Sequence, residues 1–579
     1  MSSLLERLKE RKLFQWSLAY LAGAWLVLQL VEVLGQIFQW SLALQQGITV
    51  TLAIGFLLTL VLAWYHGEKG RQRVSGPELL MIAALMAIAA ILLAILRPEA
   101  DAPTTPYVAV PVEGEEPAIA VLPFDNFSPN PDDAYFADGM HEEIITQLSR
   151  ISAIKVISRT SVMQYREESK PVRDIAAELG VNYVLEGSAR KAEDRVRLTV
   201  QLIDADRDEH VWAEEYDRDL TAAHLFEIQS EVAERVASAL EVELTASERE
   251  RIERHPTEIL AAYDLYLLGR YYWNQLSAEG LERAVEYFER ALDLDPDFAL
   301  AYSGLADTYM IQTQGWGLAP RDVFPHAREA AERALALDST LAEAHTSLGG
   351  VQLFYDWDFE GAEAAFRRAI ELNPNYAPAL HWLGISLYSR ARFAEAEEAV
   401  QRALALDPQS TYVKMNVGYL LYISRQYDQA LESYSEAIRA DSNAIVRALR
   451  GSVYVQLGRF EEGIADLEFV AEMLGERNLI PAAYLGFAYA RAGRRSDAER
   501  VIRELQGLSA RRFVNPDYIA IVYIGLGEND EAIEWLRRAT EARTDWPLFF
   551  PVDPVIDSLQ SDPRYKELLR SIGLSKLIE

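Results

Sequence analysis

Hydrophobic patterning changes character twice along the chain. Near the N-terminus apolar residues run almost unbroken, from about Leu13 to Leu34, Ile48 to Tyr65 and Leu79 to Leu96, and each run is long enough to cross the ~30 Å of hydrocarbon in a bilayer. From Ala118 to about Glu243 short apolar runs alternate with helical patterns. AIAVLPF at 118–124, KVIS at 155–158 and YVLEGSAR at 183–190 predict strands, and 195–204 with 210–216 alternates around an Asp-rich turn, as a hairpin does. Helices are predicted at 134–149, at 172–179 closed by Gly180, and at about 226–243. The order β-α-β-α-β-β-α predicts one mixed sheet with helices packed on it.

From about Ala262 the pattern becomes periodic. Gly349, Gly384, Gly418, Gly451 and Gly486 are separated by 35, 34, 33 and 35 residues, close to the ~34 of a tetratricopeptide unit. Small residues such as Gly384 and Ala396 are expected to let two antiparallel helices approach, with Val400 and Ala403 facing the next unit and Pro408 marking the break before it. The small–bulky–small signature runs from Ala284/Phe288/Ala291 to Ala532/Leu536/Ala539 and counts eight units, the sixth (Gly463/Leu467/Val470) degenerate. Such units bury their apolar faces only against neighbours, which predicts a curved solenoid with a concave groove.

These patterns divide the chain into an anchor of three transmembrane helices at 1–97 (about 13–34, 48–65 and 79–96), a Pro-rich linker at 98–117, an α/β domain at 118–245, an all-α solenoid at 260–545 and a closing segment at 546–579. Arg7, Lys9, Arg11 and Lys12 precede the first span, and Lys69, Arg71 and Arg73 lie between the second and third. Residues 35–47 hold no Lys or Arg. Basic loops stay in the cytoplasm, so a multi-pass membrane protein is expected, with its N-terminus cytoplasmic and everything after about residue 97 outside.

Charge and composition narrow the chemistry. The first 98 residues carry a net charge of +3 and the remainder −35, a surface that repels phosphate backbones and argues against a nucleic-acid partner. With no cysteine, disulfides and thiolate metal sites are excluded. Asp204, Asp206, Asp208 and Glu215 stand at positions 1, 3, 5 and 12 of a calcium loop, but Glu209 stands where the sharp turn needs Gly, so a solvated turn is expected. Asp138, His141, Glu142 and Glu143 lack a second histidine at ligand spacing and read as an acidic helix face. Neither a nucleophile elbow, an HExxH pair nor a phosphate-cradling Gly loop occurs. No catalytic, cofactor or metal residue is therefore assigned, and no enzymatic activity is expected.

The stretches AVLPFDNFS, YFADGMHEEIITQLSRI, VISRTSVMQY, ELGVNYVLEGSARK, VRLTVQLIDA and VWAEEYDRDL resemble the amino-terminal domain of the periplasmic protein TolB and the related domain that precedes tetratricopeptide repeats in many bacterial proteins. RKLFQW, AYLAGAW and AWY are similar to the membrane segment found ahead of such domains, in families that include membrane-tethered winged-helix regulators and cyclase fusions. No winged helix or cyclase is read ahead of the membrane segment here. The resemblance implies a periplasmic interaction domain of a Gram-negative inner-membrane protein, and it carries over no activity. In the repeats, family resemblance places positions 2, 5, 9 and 12 of each first helix on the groove. In the central units these are His381 and Tyr388, then Tyr412, Met415, Tyr419 and Tyr422, an aromatic and Met-lined surface suited to an apolar or extended peptide. Packing of these rings between helices is the alternative. The expected function is a membrane-anchored, non-enzymatic scaffold binding other proteins or peptides of the cell envelope. The alternative is a transmembrane sensor that binds a ligand outside and signals through a membrane or cytoplasmic partner. The α/β domain is expected to add a second contact surface or a dimerisation unit, which leaves a homo-oligomer open.

Overall fold

The computed structural model describes residues 117–166, 170–312, 318–440 and 443–574. The chain divides into two compact units, Met1–Val110 and Pro111–Glu579, and every described residue belongs to the second.

The first part is a mixed sheet. β1 (Ala118–Val121) is buried along its whole length because it pairs in parallel on both sides, with β3 (Lys155–Val156) and β4 (Tyr183–Ala192). A short β2 (Asp125–Asn126) also pairs with β4. β4, β5 (Arg195–Asp204) and β6 (Glu209–Asp219) continue as an antiparallel meander, giving the order β3-β1-β4-β5-β6. β5 alternates buried Val196, Leu198, Val200 and Leu202 with exposed neighbours, the period-2 pattern of a strand with one covered face. Helices α1 (Ala134–Ser149), α2 (Val172–Leu179) and α3 (Ala222–Ala239) accompany it. Helix α3 starts four residues before the expected position because the Thr221 hydroxyl caps it by accepting from His224 N–H. It ends early because Glu241 adopts the left-handed conformation (φ 57°). A short α4 (Ala246–Ile252) follows, opened by a reciprocal Thr245/Glu248 capping box.

Eight antiparallel helix pairs make up the repeats: α5 (Leu260–Trp273) with α6 (Ala278–Leu294), α7 (Ala299–Gln312) with α8 (Pro320–Leu337), α9 (Ala342–Val351) with α10 (Phe359–Leu372), and α11 (Ala377–Tyr388) with α12 (Phe393–Leu406). They continue as α13 (Thr411–Ile423) with α14 (Tyr427–Ala440), α15 (Ala444–Gln456) with α16 (Phe460–Leu474), α17 (Ile480–Arg491) with α18 (Arg495–Ser509), and α19 (Pro516–Leu526) with α20 (Asn529–Ala542). In five units (Gly269, Gly349, Gly384, Gly418 and Gly451) the glycine of the first helix meets the bulky residue of its second helix. A Cβ on Gly384 would sit 2.6 Å from Val400, and one on Gly349 2.8 Å from the Phe366 ring, so the helices could not close up around any larger side chain.

Helix α1 packs on α5, and one hydrophobic core runs from the sheet into the first repeats while a second fills the later ones. The edge of the solenoid is tied to the α/β domain and to the segment leading from it into the repeats by the residue that follows successive second helices. Asp295 accepts from the Thr257 hydroxyl (2.5 Å), Asp338 pairs with Arg254 (2.5 Å), Asn373 donates to Ser149 Oγ (2.8 Å), and Asp407 accepts from the Ser161 hydroxyl (2.5 Å). Between them Asn375 donates to the carbonyls of Ser149 (3.1 Å) and Ile154 (2.9 Å) and accepts from Val156 N–H (3.2 Å). These are backbone groups on a part of the domain with no other ladder partner to serve them.

The expectation of three transmembrane helices, and with it the multi-pass inner-membrane placement, is corrected here. Among the described residues no helix is long and apolar enough to cross a membrane. Even the longest, α3 and α8 at 18 residues, turn one face to a neighbour and carry charged residues on the other, as solenoid and sheet-covering helices must. The segments 13–34, 48–65 and 79–96 themselves lie outside the described residues. What is described is a small mixed-sheet domain and an all-helical repeat region.

Replacing Asn375 with Leu orphans buried carbonyls and the Val156 N–H, each worth about 1–3 kcal/mol when left unpaired. Calorimetry should find the melting transition lowered and the α/β domain melting ahead of the repeats. An unchanged single transition would contradict the docking described.

Candidate functional site

The chain's own C-terminal segment lies against the first helices of repeats 4, 5, 7 and 8 and the turn that closes the first helix of repeat 3. Arg543 ends α20 in the left-handed conformation (φ 56°) and turns the backbone. Its guanidinium donates to the Tyr355 carbonyl at 2.5 Å and lies 4.8 Å over the Trp357 ring, both presented where α9 widens into a π turn, Gln352–Asp356. Two 3-10 turns follow, Trp546–Phe549 and Pro554–Leu559. Pro547, Pro551 and Pro554 keep this stretch from forming an α-helix, while Trp546, Leu548, Phe550, Val552 and Ile556 are buried. A short final helix, Pro563–Ser571, returns the Tyr565 hydroxyl to the Phe550 carbonyl at 2.6 Å.

Asp553 anchors the segment. Fully buried, its carboxylate accepts from Trp546 Nε1 (3.0 Å) and Val555 N–H (2.9 Å), and at longer range from the hydroxyls of Tyr419 (3.4 Å) and Tyr484 (3.5 Å). Burial pushes its carboxyl above the ordinary value against the pull of these donors and of Arg425. Arg425 grips the outer side, donating to the Val552 carbonyl (2.7 Å) and pairing with Asp557 (2.6 Å). The Phe549 ring stands edge-on to Tyr419 at 5.7 Å and lies 6.1 Å from Tyr388.

Three of the six expected lining residues gather here. Tyr388 is 1% exposed and donates to Asn416 Oδ1 (3.3 Å). Tyr419 touches both Phe549 and Asp553, and Tyr422 is buried beside it with ring centroids 5.9 Å apart. His381 is drawn into a different cluster: Asn416 Nδ2 lies 3.0 Å from its Nδ1, and its ring stands edge-on to Trp382 at 4.9 Å. Burial pushes its pKa down to about 4. Met415 is half-buried against the repeat core, and Tyr412 is 53% exposed, away from the segment. Arg425, Tyr484, Phe549 and Asp553 escaped the sequence reading. The Asp553–Pro554 pair marks the start of a turn, but nothing local says that the turn lies against repeats more than a hundred residues upstream.

Of the carboxylates weighed for metals, Asp138, Glu142, Glu143, Asp204 and Glu215 are engaged within the fold. Asp138 pairs with Arg159 and Arg166, Glu142 with Arg270 (2.5 Å) and Asn274 (2.8 Å), and Glu143 accepts from Tyr266 (3.3 Å). His141 Nε2 meets the Val121 carbonyl at 2.9 Å, and burial pushes its pKa down to about 3. Asp204 accepts from the N–H groups of Asp206 and Arg207 in its own hairpin turn, while Glu215 pairs with Arg197 (3.7 Å) across the meander.

With this geometry in view, comparison with known proteins finds similarity in two regions of the chain. The tetratricopeptide-repeat family matches residues 265–314, 353–415, 418–470 and 519–545, and the chain carries a tetratricopeptide-repeat solenoid, a fold that binds other proteins or peptides. Residues 115–235 match the family described as HilA/YgeH-like transcriptional regulator, second domain. A protein named putative adenylate cyclase 3 from Rhizobium meliloti (strain 1021) is 44% identical over 191 residues, which is 33% of this chain and 32% of that protein. The chain thus spans about a third of the length of the curated relative it matches. Among solved structures, a thermophilic tetratricopeptide-repeat protein of Thermus thermophilus is 20% identical and covers 33% of this chain and 98% of its own (TM-score 0.29). The type IV pilus biogenesis factor PilW is 19% identical over 36% of this chain and 92% of its own (TM-score 0.31). PilF of Pseudomonas aeruginosa is 19% identical over 40% and 98% (TM-score 0.29).

Near the root of the C-terminal segment, at the start of α19, Asp517 is fully buried with neither carboxylate oxygen in a well-formed hydrogen bond among the described residues, its own N–H and the Thr544 side chain being the nearest donors that pull against the burial. Burial, then the nearby Asp545, pushes its pKa up to about 8 from 3.8. Its folded value exceeds its unfolded one, so folding takes up a proton between about pH 4 and 8, and stability falls as pH rises through that window. Asp517→Asn should melt several degrees above the parent at about pH 8, with the gap closing toward about pH 4. Thermal melts across that range check it, and parallel curves would contradict the assignment.

Proposed function

We propose that this protein is a non-enzymatic scaffold that takes extended segments of other proteins into its repeat groove, and that its own residues 546–559 hold the groove until such a segment displaces them. The surface assigned to the partner is the one carrying His381, Tyr388, Tyr412, Met415, Tyr419 and Tyr422, with Arg425 at its rim. The observation that carries this reading is the seating of Phe549 and Asp553 against Tyr388, Tyr419 and Tyr484. An aromatic residue followed four positions later by a carboxylate next to Pro is the chemistry this groove accepts. A tethered segment competes at an effective concentration in the millimolar range, so a partner must bind better than that or the segment must first be loosened. The α/β domain, docked on the solenoid edge, serves as the second contact surface.

The test is a labelled peptide with the sequence of residues 544–562, titrated into the full chain and into Phe549→Ala/Asp553→Ala, whose groove residues are intact. The parent is expected to bind it at least tenfold more weakly than the variant. A peptide carrying the same two alanines is expected to bind neither. Failure of a folded variant to bind the native peptide at any concentration sinks the proposal.

A further inference from the structure

Where the α/β domain, α4 and the first three repeats meet, a cleft of about 270 Å³ is walled by Arg150, Arg251, Arg254, His255, Asp338 and Thr340. Basic side chains crowd it in a chain whose net charge is −32, and their partners do not balance them. Arg254 is paired with Asp338, whose other oxygen already accepts from the Thr340 hydroxyl (2.6 Å) and N–H (2.9 Å). Asp297, also on the wall, pairs with Arg333 (3.3 Å). Among the described residues Arg150 donates only to neutral acceptors, the Gln147 side chain (3.1 Å) and the Arg251 carbonyl (3.0 Å). Arg251 forms no ion pair among the described residues, and its Nε is buried without a hydrogen-bond partner.

The nearest carboxylate does not fill the gap. Glu248 is held by the N–H and hydroxyl of Ser152 and of Thr245. Burial lowers the pKa of Arg251, and Arg150 and Arg368 act in the same direction against the pull of Glu248 and Glu250. Glu143 attracts Arg150 from beyond ion-pair distance, so two guanidinium groups face one cleft with no carboxylate at ion-pair distance from either among the described residues. The start of α7, at Ala299 and Leu300, and Leu341 just ahead of α9 complete the wall, so the positive ends of two helix dipoles lie beside it. Planar donor forks together with helix N-termini suit the tetrahedral oxygens of a phosphoryl group.

We propose that this cleft binds a small dianionic phosphoryl ligand, as free phosphate or a phosphomonoester, bridged between Arg150 of the α/β domain and Arg251 of the connecting helix. The site is independent of the groove and of the function proposed for it. Its occupant would cross-link the α/β domain to the repeats and stiffen their junction.

The full chain is to be melted with about 10 mM inorganic phosphate, phenyl phosphate or succinate, ionic strength being matched with sodium chloride. Phosphate is expected to raise the melting temperature by several degrees in the parent and by less than one in Arg150→Gln/Arg251→Gln. Without ligand, Arg251→Gln alone should melt no lower than the parent, because it removes an unpaired buried donor. Tenfold tighter binding of phenyl phosphate than of phosphate by calorimetry assigns the site to esters, and equal binding assigns it to free phosphate. Equal stabilisation by succinate, equal shifts in parent and variant, or no shift at all overturns the proposal. If the double variant does not fold, Arg251→Lys keeps the charge but loses the planar fork, and unchanged phosphate affinity in it overturns the proposal equally.

Discussion

The polar residue that follows each of four successive second helices is the constraint on which this structure depends. Asp295, Asp338, Asn373 and Asp407 each reach out of the solenoid to a hydroxyl or guanidinium of the α/β domain or of the segment that leads from it into the repeats. A sheet domain of irregular outline is thereby held by a regular array. The bonds are short and largely shielded, so their strength comes from the cost of leaving any one partner unpaired rather than from the charges alone. Asp407 reports this environment: burial pushes its carboxyl up to about 6, against the pull of the Ser161 and Ser410 hydroxyls.

The first helices of the same array hold the chain's own end: after α20 the chain turns back and lies against those of repeats 4, 5, 7 and 8. The apolar residues of 546–559 contribute most of the burial. Asp553 and Arg425 fix the register, one from inside and one from the rim. Docking the α/β domain on the edge and the C-terminal segment in the groove uses different parts of each repeat, so either can change without dismantling the other.

The periodic part of this architecture was legible because its signal is chemical as well as numerical. Gly384 and Gly349 had to be small because Val400 and Phe366 lie against them. The strands of the mixed sheet were legible in the same way, from the alternation along β5 and the unbroken apolar run of β1. Helix α3 was displaced in the reading because a single hydroxyl, Thr221, sets its start. The π turn at Gln352–Asp356 was hidden because it ends on Trp357, a non-glycine residue at φ 60°. In the candidate site Tyr388, Tyr419 and Tyr422 were singled out by the family resemblance of first-helix positions, and Tyr388 and Tyr419 meet Phe549. Tyr412, on the same helix as Tyr419, turns to solvent. Phe549 and Asp553 were beyond local reasoning, since their partners on the repeats lie between 69 and 161 residues away in sequence. The membrane-spanning expectation rested on residues outside those described, and the described helices follow another rule, one apolar face against a neighbour.

The most direct test of the account is photo-crosslinking from a benzophenone side chain in place of Tyr419, with adducts mapped by mass spectrometry on the isolated chain. Adducts between this position and residues 546–559 of the same molecule are predicted, and they should be lost when Phe549 and Asp553 are replaced by alanine. Adducts confined to the neighbouring helices α11, α13 and α15, with the C-terminal segment untouched, would contradict the claim that the chain fills its own groove.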